Sequence, residues 1–193
     1  MIIKVKSPGR INLIGEHTDY NGGYVLPGTI NKAINFEIFK VKKVYCEVKS
    51  AKINKSLIFE INNIKKSETH WHNYILGTID YFLSKKNKIT PFKCSIKSNL
   101  PIGSGISSSS ALISGFAKAI IELFELKYSK SDIVKIVSYV ERNFIGLRGG
   151  IMDQFTINYG LKDNLILLNC DNSSYNYIEF KSKSFCILLL NTN

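Results

Sequence analysis

The stretch FKCSIKSNLPIGSGISSSSAL, residues 92–112, is the one on which the reading of the fold turns. It reads as a strand at 92–97, a polar loop at 100–107, and a helix over 108–123 that carries Leu112, Phe116, Ala119 and Ile120 on one side. Small residues at Gly103 and Gly105 let backbone amides come close to an anion. A helix amino terminus behind them adds unpaired N–H groups and the positive end of a dipole. The loop therefore suits a polyphosphate, although a serine-rich helix start also reads as a plain cap. No Gly-Lys-Ser/Thr follows, so it is not a Walker A loop, and the dinucleotide fingerprint is absent as well.

Outward from this stretch, residues 2–6, 24–26, 30–41, 44–50 and 56–60 are rich in Val, Ile, Phe and Tyr and read as strands. An antiparallel sheet is their simplest product. Residues 71–84 place Trp71, Ile75, Thr78, Ile79 and Phe82 at helical spacing. Ser129 and Asp132 begin another helix with a capping-box pattern, whose inner stripe is Ile133, Ile136, Val137, Val140 and Phe144 and whose end is Gly146. A short helix near 152–158 and strands at 165–169, 176–180 and 185–190 follow. Strands first, then helices mixed with strands, point to an α+β fold with a mixed sheet packed on helices. The expected division is a domain over 1–175 and, over 176–193, the first strands of a second, truncated domain, because the apolar strand Phe185–Leu190 leads nowhere.

Composition narrows the function classes. The 193 residues are 45% hydrophobic and 21% charged, as in globular proteins, and no apolar run approaches the ~18 residues of a membrane span. The opening MIIKVK lacks signal-peptide features, so a cytoplasmic location is expected. Cys46, Cys94, Cys170 and Cys186 lie far apart without a C-x-x-C pair and read as buried, reduced thiols. The net charge of +11 rests on scattered lysines, with Arg10, Arg142 and Arg148 the only arginines, so nucleic acid is not an expected partner. A general attraction for anionic ATP is what the charge would supply.

Two further segments hold more polar and glycine residues than packing needs. PGRINLIGEHTDYNGGYVLP, residues 8–27, gathers Arg10, Glu16, His17 and Asp19 around a turn. Such a set offers the donors and acceptors that a sugar ring requires, though a charged turn is also simply a solvated loop. ERNFIGLRGGIMDQF, residues 141–155, spaces Glu141 and Asp153 across a Gly149-Gly150 turn. One acid could ligate a metal and the other act as a base, or both could be surface acids.

Taken together the three segments resemble a known family. Gly9 to Asn21 looks like the signature of galactokinases, within the GHMP small-molecule kinases; Pro101 to Leu112 resembles that superfamily's phosphate loop; Gly150 to Phe155 resembles the segment bearing the catalytic aspartate. The resemblance implies a GHMP-kinase amino-terminal domain that phosphorylates the anomeric hydroxyl of galactose with ATP and Mg²⁺. It implies that Asp153 takes or orients the proton of that hydroxyl beside Arg10, and that Glu16, His17, Thr18, Asp19 and Gly150 hold the sugar. Gly103, Ser104, Gly105, Ile106, Ser107, Ser108 and Ser109 would wrap the ATP phosphates, with Ser50 near the base and Ser109 and Glu141 sharing the magnesium.

Other consequences concern what lies outside these motifs. Members of the family are longer and add a second domain with a glycine-rich third motif and a sugar-contacting tyrosine, so a separate carboxyl-terminal half or self-association is expected. Ser104 stands where glycine or alanine is usual, and Leu147-Arg148-Gly149 replaces a segment that often carries cysteines. Alternatives to the enzyme are a non-catalytic galactose and ATP binder, or a kinase for a related sugar such as N-acetylgalactosamine.

Overall fold

The computed structural model describes residues 1–101, 105–181 and 187–188. Gly103, Ser104, Cys186 and most of the expected strand Phe185–Leu190 lie outside them.

Alternating burial along the first strands pairs one face with the core and leaves the other to water. Strands β1 (Ile3–Asn12), β3 (Pro27–Lys40), β4 (Cys46–Ser50), β5 (Lys55–Phe59) and β6 (Phe92–Ser98) form one sheet in the order β1-β3-β6-β4-β5. Here the structure departs from the antiparallel expectation. Strand β6 returns between β3 and β4 and pairs with β4 in parallel, Val48 opposite Cys94, so the sheet is mixed. The crossover that permits this is helix α1 (His70–Ser84), which lies between β5 and β6 in the chain.

Helix α2 (Ser108–Leu123) packs on β1 and β3, and α1 and α3 (Lys130–Val140) pack beside it. Gly115 lets α2 settle onto the sheet: a Cβ there would stand 2.7 Å from the Cβ of Ser7 and 2.9 Å from Cζ of Phe36. Phe36, Phe82, Phe92 and Phe116 are wholly buried at this interface. Leu112, expected on the inner stripe of α2, is only half-buried. The capping box of α3 is formed in both directions, with Asp132 N donating to Ser129 Oγ at 3.2 Å and Ser129 N to Asp132 Oδ2 at 2.9 Å.

A π-type turn, Glu141–Ile145, extends α3 and ends at Gly146 in the left-handed region. Helix α4 (Met152–Tyr159) follows. It packs through Met152 and Phe155 on Val25, Ile166 and Leu168 of a second sheet, β2 (Tyr24–Val25), β7 (Asn164–Asn169) and β8 (Tyr175–Glu179), ordered β2-β7-β8. The expected domain boundary at 175/176 falls inside β8, which pairs with β7. Cys46 and Cys94 are buried, which pushes their thiols up to about 11 and about 12; Cys170 is half-buried. No helix among the described residues is long and apolar enough to cross a membrane.

Candidate active site

Strand β1 runs six residues beyond its expected end, through a register shift between Pro8 and Arg10. Arg10 thus sits on the strand, held by it, rather than on the turn. Its guanidinium reaches Asp153 at the start of α4, with Nε donating to Oδ1 at 2.8 Å and Nη2 at 2.7 Å from the same oxygen. The same side chain donates through Nη1 to the carbonyl of Gly105, and Arg10 N donates to the Ile106 carbonyl at 3.2 Å. One arginine therefore joins the acid of the third segment to the phosphate loop of the second. Its side chain is only 12% exposed, so the pair interacts where water screens weakly.

Asp153 acts by its charge on two other carboxylates. Asp19 has its carboxyl raised by burial first and then by the charges of Asp153 and Glu16, against a backbone hydrogen bond at Tyr20 that lowers it. Glu141 is pushed up to about 7 by burial and by Asp153, although Ser110 Oγ donates to its Oε1 at 3.0 Å. A half-buried carboxylate so disfavoured in its charged form is suited to a cation.

Gly150 touches Asp19 closely. A Cβ on it would lie 2.6 Å from Asp19 Cγ and 2.7 Å from the Asp19 carbonyl carbon, so only glycine permits the approach. Gln154, 1% exposed, fixes this turn by donating through Nε2 to the Gly150 carbonyl at 2.9 Å. Glu16 and His17 are exposed at the turn; Asn12 Nδ2 donates to Glu16 Oε1 at 2.9 Å, and His17 Nδ1 lies 2.6 Å from Tyr20 OH. Thr18 behaves differently from the expectation. Its hydroxyl lies 2.7 Å from the Gly15 carbonyl and 2.9 Å from that of Tyr24, which ties the turn together rather than presenting the oxygen to a ligand.

Ser50, Ser108 and Ser109 line one cavity of about 520 Å³, with Lys52, Trp71 and Tyr74. Lys52 Nζ donates to the Leu100 carbonyl, at the foot of the phosphate loop. Ser109, expected to share a metal with Glu141, faces this cavity, and the hydroxyl on Glu141 belongs to Ser110. Neighbours on a helix point about 100° apart, so one reaches the carboxylate while the other lines the cavity. Ile106 and Ser107 are buried, which leaves their backbone as the part suited to a phosphate. The residues missed by sequence reasoning are Ser110, Gln154, Lys52 and Tyr74; Trp71 read only as part of an apolar stripe, yet its Nε1 is buried without a partner among the described residues.

The chain is similar to known proteins in sequence and in fold. The family described as GHMP kinases N terminal domain matches residues 73–161, and the galactokinase galactose-binding signature matches residues 3–38. The chain carries the amino-terminal domain of a GHMP kinase together with the galactokinase galactose-binding signature. It is 42% identical to the galactokinase of Thermotoga maritima over 191 residues, which are 99% of this chain and 53% of that protein. With the galactokinase of Fusobacterium nucleatum identity is 40%, over 97% of this chain and 49% of the relative. The chain thus spans about half the length of the curated relatives it matches. Among solved structures, Lactococcus lactis galactokinase complexed with galactose superposes with a TM-score of 0.86 at 32% identity, covering 92% of this chain and 47% of that one. Methanococcus jannaschii mevalonate kinase gives 0.75 at 27%, covering 93% and 56%.

Proposed function

We propose that this chain supplies the sugar- and phosphate-handling half of a galactokinase, which transfers the γ-phosphoryl group of ATP to the anomeric hydroxyl of galactose. The observation that carries the reading is the Arg10–Asp153 pair with its third contact, the Gly105 carbonyl. Phosphoryl transfer asks a protein mainly for alignment and charge compensation. An acid and a phosphate loop fixed to one guanidinium supply alignment between the two reacting groups.

Asp153 accepts or orients the proton of the anomeric hydroxyl, and Arg10 fixes that carboxylate in place and offsets charge growing on the transferred group. Asp19, Glu16 and His17 bind ring hydroxyls, and Gly150 closes the pocket at Asp19. The loop from Gly103 to Ser109 takes the phosphates, while Trp71 and Tyr74 offer ring faces to the base. Magnesium fits the donor set on this side: Glu141 is a half-buried carboxylate lacking a cation partner among the described residues, with the Ser110 hydroxyl on it and Ser109 on the same helix turn. Sparse oxygen ligation of this kind suits an ion that keeps waters and phosphate oxygens. Bound there, it would neutralise the phosphates during transfer.

The test joins this chain to the carboxyl-terminal half of the Thermotoga maritima relative and measures galactose 1-phosphate by NMR, with N-acetylgalactosamine as the competing sugar. ATP-dependent phosphorylation of galactose, lost on Arg10→Gln, is expected. A fusion that binds galactose and ATP yet forms no sugar phosphate would favour the non-catalytic binder. The chain by itself is expected to turn over below about 1 s⁻¹, the low end for ordinary enzymes.

A further inference from the structure

Away from the paired acids, a second cavity of about 600 Å³ opens between α3, α4 and the start of β8. One wall is aromatic. Phe155 and Tyr159, a turn apart on α4, stack at 4.3 Å with their planes 8° apart, and Tyr175 of β8 meets both edge-on at 5.1 and 5.4 Å. The facing wall carries Lys135 and Arg142. Tyr175 stays 37% exposed, so these rings have assembled without being closed over.

The charges around this space are unbalanced. Lys135 is answered by Asp132 at 3.3 Å, and Lys130 lies over the Tyr159 ring at 5.5 Å. The nearby Asp80 carboxylate is occupied by the Tyr139 hydroxyl at 2.6 Å. Arg142 has neither a carboxylate nor a carbonyl partner among the described residues, and it faces the cavity. A guanidinium fork left open beside two stacked rings and a third that meets them edge-on matches an anion carried on a flat ring: the fork takes two oxygens, and the exposed ring of Tyr175 takes the flat body. The volume lies within the range of small-molecule sites. Glu141, the neighbour of Arg142 in the π-type turn, faces Ser110 instead, so the turn presents one residue to each of two sites.

We propose that this cavity is a second ligand site, separate from the sugar and phosphate residues, for a small planar aromatic molecule carrying a single carboxylate held by Arg142.

The experiment titrates the ¹⁵N-labelled chain with phenylacetate, and with 2-phenylethanol as its neutral counterpart. Phenylacetate is expected to saturate shifts around Arg142, Tyr159 and Tyr175 with a Kd on the order of 1 mM, fitting a ligand of few atoms. The alcohol is expected to bind at least about tenfold more weakly, the loss of one charge-assisted contact. Arg142→Gln should remove that preference, and Arg142→Lys should restore part of it, since the charge returns without the fork. Equal binding of the acid and the alcohol, or an unchanged preference in Arg142→Gln, overturns the proposal. So does competition by galactose or ATP, which would put the anion in the proposed active site. The readout is binding alone, so the proposal and the kinase reading can fail separately.

Discussion

Replacing Glu141 by Gln should make the chain more stable at neutral and alkaline pH, and the structure sets the size of the gain. In the unfolded chain this carboxyl loses its proton near 4.5; in the folded chain, half-buried and near Asp153, it holds the proton to about 7. Between those values the folded state binds more protons than the unfolded one, so stability falls as pH rises from 4.5 through 7 and levels off above. The difference between 4.5 and 7 corresponds to a loss of about 3 kcal/mol at 1.36 kcal/mol per pH unit. Glutamine keeps an acceptor for Ser110 without ionising. Wild type and Glu141→Gln should therefore match near pH 4.5 and diverge toward pH 8, where the variant's urea midpoint should rise by about 1.5 M for a denaturant slope near 2 kcal/mol/M. The scan is run with a chelator present. Adding Mg²⁺ with ATP at pH 8 should then raise the wild-type midpoint more than the variant's, because only the carboxylate attracts the ion. Parallel stability profiles for the two proteins from pH 5 to 8 would refute the reasoning.

In the fusion with a relative's carboxyl-terminal half, Asp153→Asn should lower kcat by about 10²- to 10⁴-fold with little change in ATP affinity, measured by steady-state kinetics; a wild-type kcat would transfer the main role to Arg10. Gly150→Ala should weaken galactose binding in calorimetry and lower the melting temperature, since the added methyl pushes Asp19 aside at an overpacking cost of about 1–3 kcal/mol. Ser129→Ala removes the leg of the capping box in which Ser129 Oγ accepts from Asp132 N, while the backbone N–H at 129 keeps its bond to Asp132, and should cost about 1 kcal/mol in urea unfolding at pH 7. Asp132 is held below the usual carboxylate range chiefly by Ser129, so that cost should shrink as the pH falls and Asp132 is protonated.

What the sequence showed and what it hid follow from the range of the interactions concerned. The box at Ser129 and Asp132 and the helix opening at Ser108 depend on near neighbours, and both were legible. Strand β1 read too short because Pro8-Gly9 breaks the pattern of a regular strand, whereas a local register shift lets pairing resume at Arg10. The parallel pairing of β4 with β6 depends on a partner more than forty positions away, Val48 with Cys94, and nothing local announces it. Within the run Ser107 to Ser110 every hydroxyl is the same letter, so only helix phase separates Ser110, on Glu141, from Ser109, on the cavity. Gly150 read as half of a glycine pair; its reason, the approach of Asp19, lies across the fold.

The contact between Arg10 and Asp153 also has a bearing on the order in which the protein is assembled. The two residues are 143 positions apart, and the first waits on β1 while the sheet, three helices and the phosphate loop are made. A nascent chain that has left the ribosome only as far as α3 owns its whole sugar turn and has no acid to place there. Contacts of such long sequence separation bring little reward until the loop between them has closed, which makes them late steps in folding. The pair should therefore form late, when α4 docks, and a partly synthesised chain carries its sugar turn without Asp153 beside Arg10.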